Sequence, residues 1–309
     1  MGSPEFAVPS LRALAEHHDV ALVVSQPDKP AGRGGQLTAP AVKQAAQALG
    51  LPVIQPRSAR TGELCEAMGA SGAELAVVVA YGKILPPPVL EALPRGCINV
   101  HGSLLPHYRG AAPVQWAVIR GETETGVSIM QLDEGMDTGP VLLERRTAIG
   151  PDETAGELLA RLAPIGAQAL IEALAALAAG TARAIPQDHA RATHALMLAK
   201  TDGVIDFAQP AAAVAARIRG VDPWPGAQAV LRGQPVKLFR ARAVERQAGD
   251  RAPGTVLAID GGGARVACAD GDVVIAEIQA AGRKRLTLPQ FALGRAIAVG
   301  DVLARQEPA

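Results

Sequence analysis

Residues 74–86 read ELAVVVAYGKILP, an apolar, valine-rich run that stops abruptly at Gly, Lys and Pro. A short continuous run of this kind suits a strand covered on both faces, as in a parallel sheet, rather than a half-exposed strand with alternating polarity. DVALVVSQPDKP at residues 19–30 has the same texture. Between the two lie APAVKQAAQALGL (39–51) and RTGELCEAMGASG (60–72), which carry helical spacing and close with glycine. Strand and helix in alternation make βαβ units, so the predicted fold of the first part is a doubly wound α/β domain with a parallel central sheet. Ligands in such sheets bind beyond the carboxyl ends of the strands.

Further along, GVSIMQLDEGMDTGPVLLERRTAI (126–149) reads as two strands around a Gly/Asp-rich loop. The next stretch, residues 153–180, is helical in pattern, and Pro164 inside it should kink or divide the helix. After about residue 188 the texture changes to short, turn-bounded alternating strands, with Gly261, Gly262 and Gly263 marking a hairpin. The predicted organisation is therefore a catalytic α/β domain at 1–188, a linker at 189–203 and a small β-barrel-like domain at 204–309.

Composition limits the chemistry. Aromatics are 3% of the 309 residues against 49% hydrophobic overall, so alanine and the aliphatic residues must build the core. Net charge is zero, yet residues 1–199 carry 15 Lys and Arg against 19 Asp and Glu, whereas 200–309 carry 15 against 11. This asymmetry fits either scatter or a basic partner surface on the second part. Three widely spaced cysteines, Cys65, Cys97 and Cys268, form no ligand pattern and are expected as free thiols in a cytoplasmic protein. No apolar run of 18 residues lacks a charge or turn residue, and no metal site or membrane span is expected.

CINVHGSLLPHYRGAAPVQ (97–115) starts as a strand and becomes a polar loop. Alternation along a strand turns Asn99 and His101 to the same side, at the carboxyl end where ligands are expected. Asp137, in the loop DEGMDTGP, can reach the same crevice. An amide donor, an imidazole and a carboxylate together can stabilise the oxyanion of an acyl-transfer intermediate and move a proton. The same residues also fit a plain structural role, with Asn99 capping a turn, His101 a satisfied strand-end histidine and Asp137 anchoring its own loop. Arg33, set among Gly32, Gly34 and Gly35, is either a phosphate or base contact or an ordinary solvated side chain.

The stretch from INVHGSLLP to DTGPVL (98–142), with QPDKPAGRG (26–34) and VVVAYGKILP (77–86), resembles the formyltransferases that use 10-formyltetrahydrofolate. PWPGA, GQPVKL, PGTVL and AAGRKR extend the resemblance through residues 223–285. It implies a Rossmann-like formyltransferase domain and a C-terminal barrel related to the OB fold that helps hold tRNA. The resemblance further implies catalysis by Asn99, His101 and Asp137, with methionyl-initiator-tRNA as acceptor. Folate contacts map onto Ser103, Leu104, Leu105 and Pro106, and onto Tyr81, Lys83 and Leu85, the last equally suited to a core. Contacts to tRNA map onto Lys29 and Arg33, and onto the basic run Arg283, Lys284 and Arg285. A monomer is expected. Alternative acceptors within the superfamily are amino-sugar nucleotides, and a catalytically silent folate- or tRNA-binding protein is a third reading.

The chain begins MGSPEFAVPSLRAL, directly on the loop that follows the first strand of such a sheet. The sheet is therefore expected to lack its first strand, with Met1 standing for an internal methionine.

Overall fold

The computed structural model describes residues 1–31, 35–60, 62–246, 251–294 and 296–307. They divide into two compact units. The first comprises Met1–Pro113, Thr125–Thr147 and Leu159–Leu196, and the second Val114–Glu124, Ala148–Leu158 and Met197–Ala309.

The first unit opens with α1 (Val8–His17), β1 (Val23–Val24), a β2–β3 ribbon (Lys29–Ala31 and Gln36–Thr38), α2 (Ala41–Ala48) and β4 (Val53–Ile54). It continues through α3 (Gly62–Ala70), β5 (Ala76–Val78), α4 (Pro87–Leu90), β6 (Cys97–His101) and the short β7 (Arg109–Gly110). After α5 (Pro113–Ile119) come β8 (Glu124–Gln131), β9 (Val141–Ala148), α6 (Ala155–Ala178) and β10 (His194–Ala195). β1 pairs with β4, and β5 with β6, in parallel, as the apolar runs predict. β6 and β8 are antiparallel, so the sheet β5-β6-β8-β9 is mixed rather than wholly parallel. Every residue of β6 is buried, including the polar Asn99 and His101. β10 pairs in parallel with β7, so residues expected to form a linker supply a strand to the first unit.

Two expectations need correction. α6 runs unbroken through Pro164. Leu158, Leu162 and Leu170, buried on either side of the proline, hold the helix against the loss of one backbone hydrogen bond. By length and composition α6 could cross a bilayer, but these residues are buried in protein. Second, β1 is shorter than its apolar run: residues 20–22 form no strand. Met1 and Gly2 occupy a strand position between β1 and β5, with Gly2 N–H donating to the Val24 carbonyl (3.0 Å) and Val79 N–H to the Met1 carbonyl (2.9 Å). Only Gly2 forms a ladder bridge, to Val79, so no full strand stands in that place.

The second unit contains α7 (Ala211–Gly220), β11 (Ala227–Leu231), β12 (Gln234–Val244), β13 (Val256–Asp260), β14 (Gly263–Ala267), β15 (Asp272–Ala280), β16 (Leu286–Thr287), α8 (Leu288–Leu293) and β17 (Leu303–Ala304). The strands form one antiparallel sheet in the order β13-β14-β15-β12-β11-β17, with β16 on β15. The bridge Thr255–Val302 and hydrogen bonds from Val256 to Asp301 and from Leu303 to Gly254 join its two edges, so the sheet curls into the expected barrel-like form. Gly261 and Gly262 make the two-residue hairpin turn between β13 and β14. Leu238, Val266, Ile275 and Ile278 fill the interior.

The Met1 ammonium is buried and donates to the Val77 carbonyl at 2.6 Å. Burial pulls its pKa down from 8.0 to about 6, and the Cys97 thiol beside it, itself pushed up to about 11, stays neutral in that range. The folded state therefore releases this proton before the unfolded state does. Stability should rise from pH 6 to pH 8 and be lost as pH falls through about 6. Denaturant titrations at pH 6, 7 and 8 check this; a chain acetylated at Met1 should lose that slope.

Candidate active site

β6 ends at His101 and carries Asn99 one step back on the same side, clamped by β5 on one edge (Val78 opposite Asn99) and by β8 on the other (Met130 opposite Asn99, Ser128 opposite His101). Asn99 is 9% and His101 5% exposed, enough to meet a ligand without free hydration. The Asn99 amide makes no hydrogen bond among the described residues, so its N–H groups are left for a ligand.

The His101 ring is oriented by a bond of 2.9 Å between Nε2 and the Tyr108 carbonyl. A carbonyl only accepts, so Nε2 carries the hydrogen and Nδ1 is the nitrogen available for proton transfer. Nδ1 faces Asp137 Oδ2 at 3.7 Å, within ion-pair range but beyond hydrogen-bond length. The Tyr108 carbonyl thus holds the ring, and Asp137 supplies a charge beside the other nitrogen.

Asp137 is fixed by a chain of contacts that spacing did not reveal. Its Oδ2 accepts from Gly110 N–H at 2.8 Å, and its carbonyl accepts from Gln187 Nε2 at 2.9 Å. Gln187, buried, also donates to the Gly139 carbonyl and accepts from Arg109, which is buried too. Asp137 sits at φ 54°, a left-handed conformation that Asp tolerates better than bulkier residues. Gly110 has φ 113°, and a Cβ there would stand 2.8 Å from the Ala195 carbonyl, so only glycine fits between β10 and Asp137.

The SLLP loop is stapled onto β8: Leu105 N–H donates to Ser128 Oγ, which donates to the Ser103 carbonyl. Ser103 is buried, with its hydroxyl donating to the His107 carbonyl, and Leu105 packs with Met130 and Val141. Leu104 and Pro106 are half-buried, Pro106 following a cis peptide. Tyr81 and Leu85 lie in the core around Val24 and Val78. The Tyr81 hydroxyl has no hydrogen-bond partner among the described residues, and burial raises its pKa. Lys83 donates to the carbonyls of Pro56 and Arg57. What Ser103, Tyr81 and Leu85 can offer a ligand is therefore mainly backbone. Among the described residues, no cluster of three or more metal-ligating side chains occurs.

Of the basic residues, Lys29 is exposed on β2 and Arg33 lies outside the described residues. Arg283 and Lys284 are exposed and make no ion pair among the described residues. Arg285 is different. It pairs with Glu277 and with Asp222 (3.5 Å), and its guanidinium stacks 3.9 Å above the Phe239 ring. Two carboxylates of the second unit thus share its charge, although the residue is exposed.

Comparison with known proteins agrees with this architecture. The Formyl transferase family matches residues 2–174, and the Formyl transferase, C-terminal domain family matches residues 197–296. A methionyl-tRNA formyltransferase of Desulfotalea psychrophila is 50% identical over 304 residues, covering 98% of this chain and 94% of that protein. One from Sorangium cellulosum is 49% identical, covering 98% of both. Among solved structures, an N-formyltransferase from Helicobacter canadensis superposes with a TM-score of 0.67 at 17% identity, over 92% of this chain and 97% of that one, a likeness of fold. The chain belongs to the formyl transferase family, beside its methionyl-tRNA formyltransferase relatives.

Proposed function

We propose that this chain transfers the formyl group of 10-formyltetrahydrofolate to the α-amine of methionine esterified to initiator tRNA, in the cytoplasm and as a monomer. The observation that carries the reading is the juxtaposition at the end of β6: an uncommitted Asn99 amide, an oriented His101 and Asp137 at 3.7 Å, in a chain about half identical to methionyl-tRNA formyltransferases over nearly its whole length.

The residues divide the work. Asn99 donates to the formyl oxygen as the amine nitrogen bonds to the formyl carbon and the carbonyl pair moves onto oxygen. His101 acts through Nδ1, taking the proton the amine loses, while the Asp137 carboxylate stabilises the resulting imidazolium. His101 then returns the proton to the departing folate nitrogen as the old carbon–nitrogen bond breaks. Formylmethionyl-tRNA and tetrahydrofolate result, without a protein nucleophile. Folate contacts fall to the backbone of residues 81–85 and to the SLLP loop at Ser103, Leu104, Leu105 and Pro106. Lys29, Arg33, Arg283 and Lys284 supply positive charge to the tRNA backbone.

Formyl transfer to methionine-charged initiator tRNA is the direct test, with uncharged tRNA as control. His101→Ala and Asn99→Ala should each lower kcat by about 10²–10³-fold with little change in KM for tRNA. A folded protein that formylates an amino-sugar nucleotide and not the charged tRNA would overturn the reading. Gly110→Ala should displace Asp137 and lower kcat by about tenfold or more, measured in the same assay. Arg283→Ala with Lys284→Ala should raise KM for tRNA and flatten its salt dependence at an unchanged Tm, whereas Arg285→Ala should lower Tm.

A further inference from the structure

Of the two tryptophans, two tyrosines and four phenylalanines in the chain, Trp224 alone is exposed, at 54%. A single apolar side chain at a surface is ordinary in itself. This one is held still. Asp222 N–H donates to the Arg219 carbonyl at 3.3 Å and Gly226 N–H to the Val221 carbonyl at 2.8 Å, which closes the base of its loop in the second unit. The Asp222 carbonyl accepts from Gly156 N–H at 3.0 Å, and the Pro225 carbonyl accepts from Lys237 Nζ at 2.9 Å. Prolines on both sides restrict the backbone further. The indole is thus an exposed aromatic face on a fixed support, with little ordering left to lose when a flat ligand lies on it.

Cations gather beside that loop. Lys237 stands between Gln228 of β11 and Gln279 of β15, one cross-strand row on the outer face of the sheet. Gln228 donates to the Lys200 carbonyl, and a Cβ on Gly203 would stand 2.4 Å from the Gly226 carbonyl, so the turn Lys200–Gly203 lies directly against the loop. At the other end of the row Gln279 donates to the Arg283 carbonyl at 2.8 Å, which brings in Arg283 and Lys284. Among the described residues, Lys200, Lys237, Arg283 and Lys284 make no ion pair. The nearby carboxylates are committed elsewhere: Asp222 and Glu277 to Arg285, and Asp202 to the Ala199 N–H. Lys237 spends one of its three N–H donors on Pro225 and keeps two.

We propose that this face of the second unit takes an unpaired nucleotide of the tRNA, with its base stacked on Trp224 and its flanking phosphates met by Lys200, Lys237, Arg283 and Lys284. The inference rests on the tRNA acceptor proposed above and adds to it a contact with single-stranded RNA. An exposed indole offers a π-face and no pattern of donors, so it grips any base that is free of a helix. Bases stacked within a duplex have no free face to give it. The cations supply the charge complementarity, and the stacked base fixes where along the strand they act.

The full chain carrying Trp116→Phe has Trp224 as its one tryptophan, and its fluorescence reports on the site. Titration with a single-stranded RNA of about eight nucleotides should quench it saturably, and the same RNA annealed to its complement should need about tenfold more. Trp224→Ala should weaken binding of uncharged tRNA about tenfold, with Trp224→Phe keeping most of the affinity. In the formyl-transfer assay Trp224→Ala should raise KM for charged tRNA by a similar factor and leave kcat within about twofold. No quenching, equal quenching by the two RNAs, or an unchanged tRNA affinity in Trp224→Ala would overturn the proposal. Quenching by single-stranded RNA in a protein that does not formylate charged tRNA would uphold the stacking site and overturn the acceptor reading instead.

Discussion

The clamping of β6 between a parallel neighbour and an antiparallel one is the constraint from which the rest follows. With backbone bonds on both edges, the strand cannot slip by one residue without turning Asn99 and His101 to the opposite face. The wholly buried apolar side chains of β6 hold that register from both faces. Chemistry needs two polar groups aimed at one atom, and a sheet interior is the stiffest place to hold them. The buried histidine is tolerated because a backbone carbonyl satisfies one nitrogen and a carboxylate faces the other.

Much of this was legible in the chain, for reasons that differ by element. Valine-rich runs announce buried strands because burial on both faces permits no polar alternation, and this located β1 and β5. The Asn-x-His spacing located the reacting face because alternation in a strand is strict. Asp137 was legible only as a loop residue near another strand end, and its partners were not. Gln187 lies fifty residues from the loop it ties, and no local pattern encodes such a contact. Tyr108 contributes through its carbonyl, a group every residue shares. The proline in α6 does not divide it, because local propensity yields to a helix anchored along its length by buried leucines.

The second unit shows the same limit for charge. Arg283, Lys284 and Arg285 are indistinguishable as a sequence run, yet only the third sits over Phe239 between two carboxylates. A basic run records how much charge is present; how much of it remains available depends on which side chains the fold has already neutralised. Asp222 illustrates the reverse, since burial raises its pKa even with Arg285 beside it.

The pairing of β7 with β10 bears on how the molecule can be divided. Ala195 closes against Gly110, whose N–H in turn holds Asp137, so the geometry of the reacting groups extends to residues far along the chain. A fragment ended at residue 188 would keep Asn99, His101, Asp137 and Gln187 and still expose the edge of β7 to water. Any dissection meant to isolate the chemistry therefore has to keep β10, since the last segment of the first unit runs to Leu196.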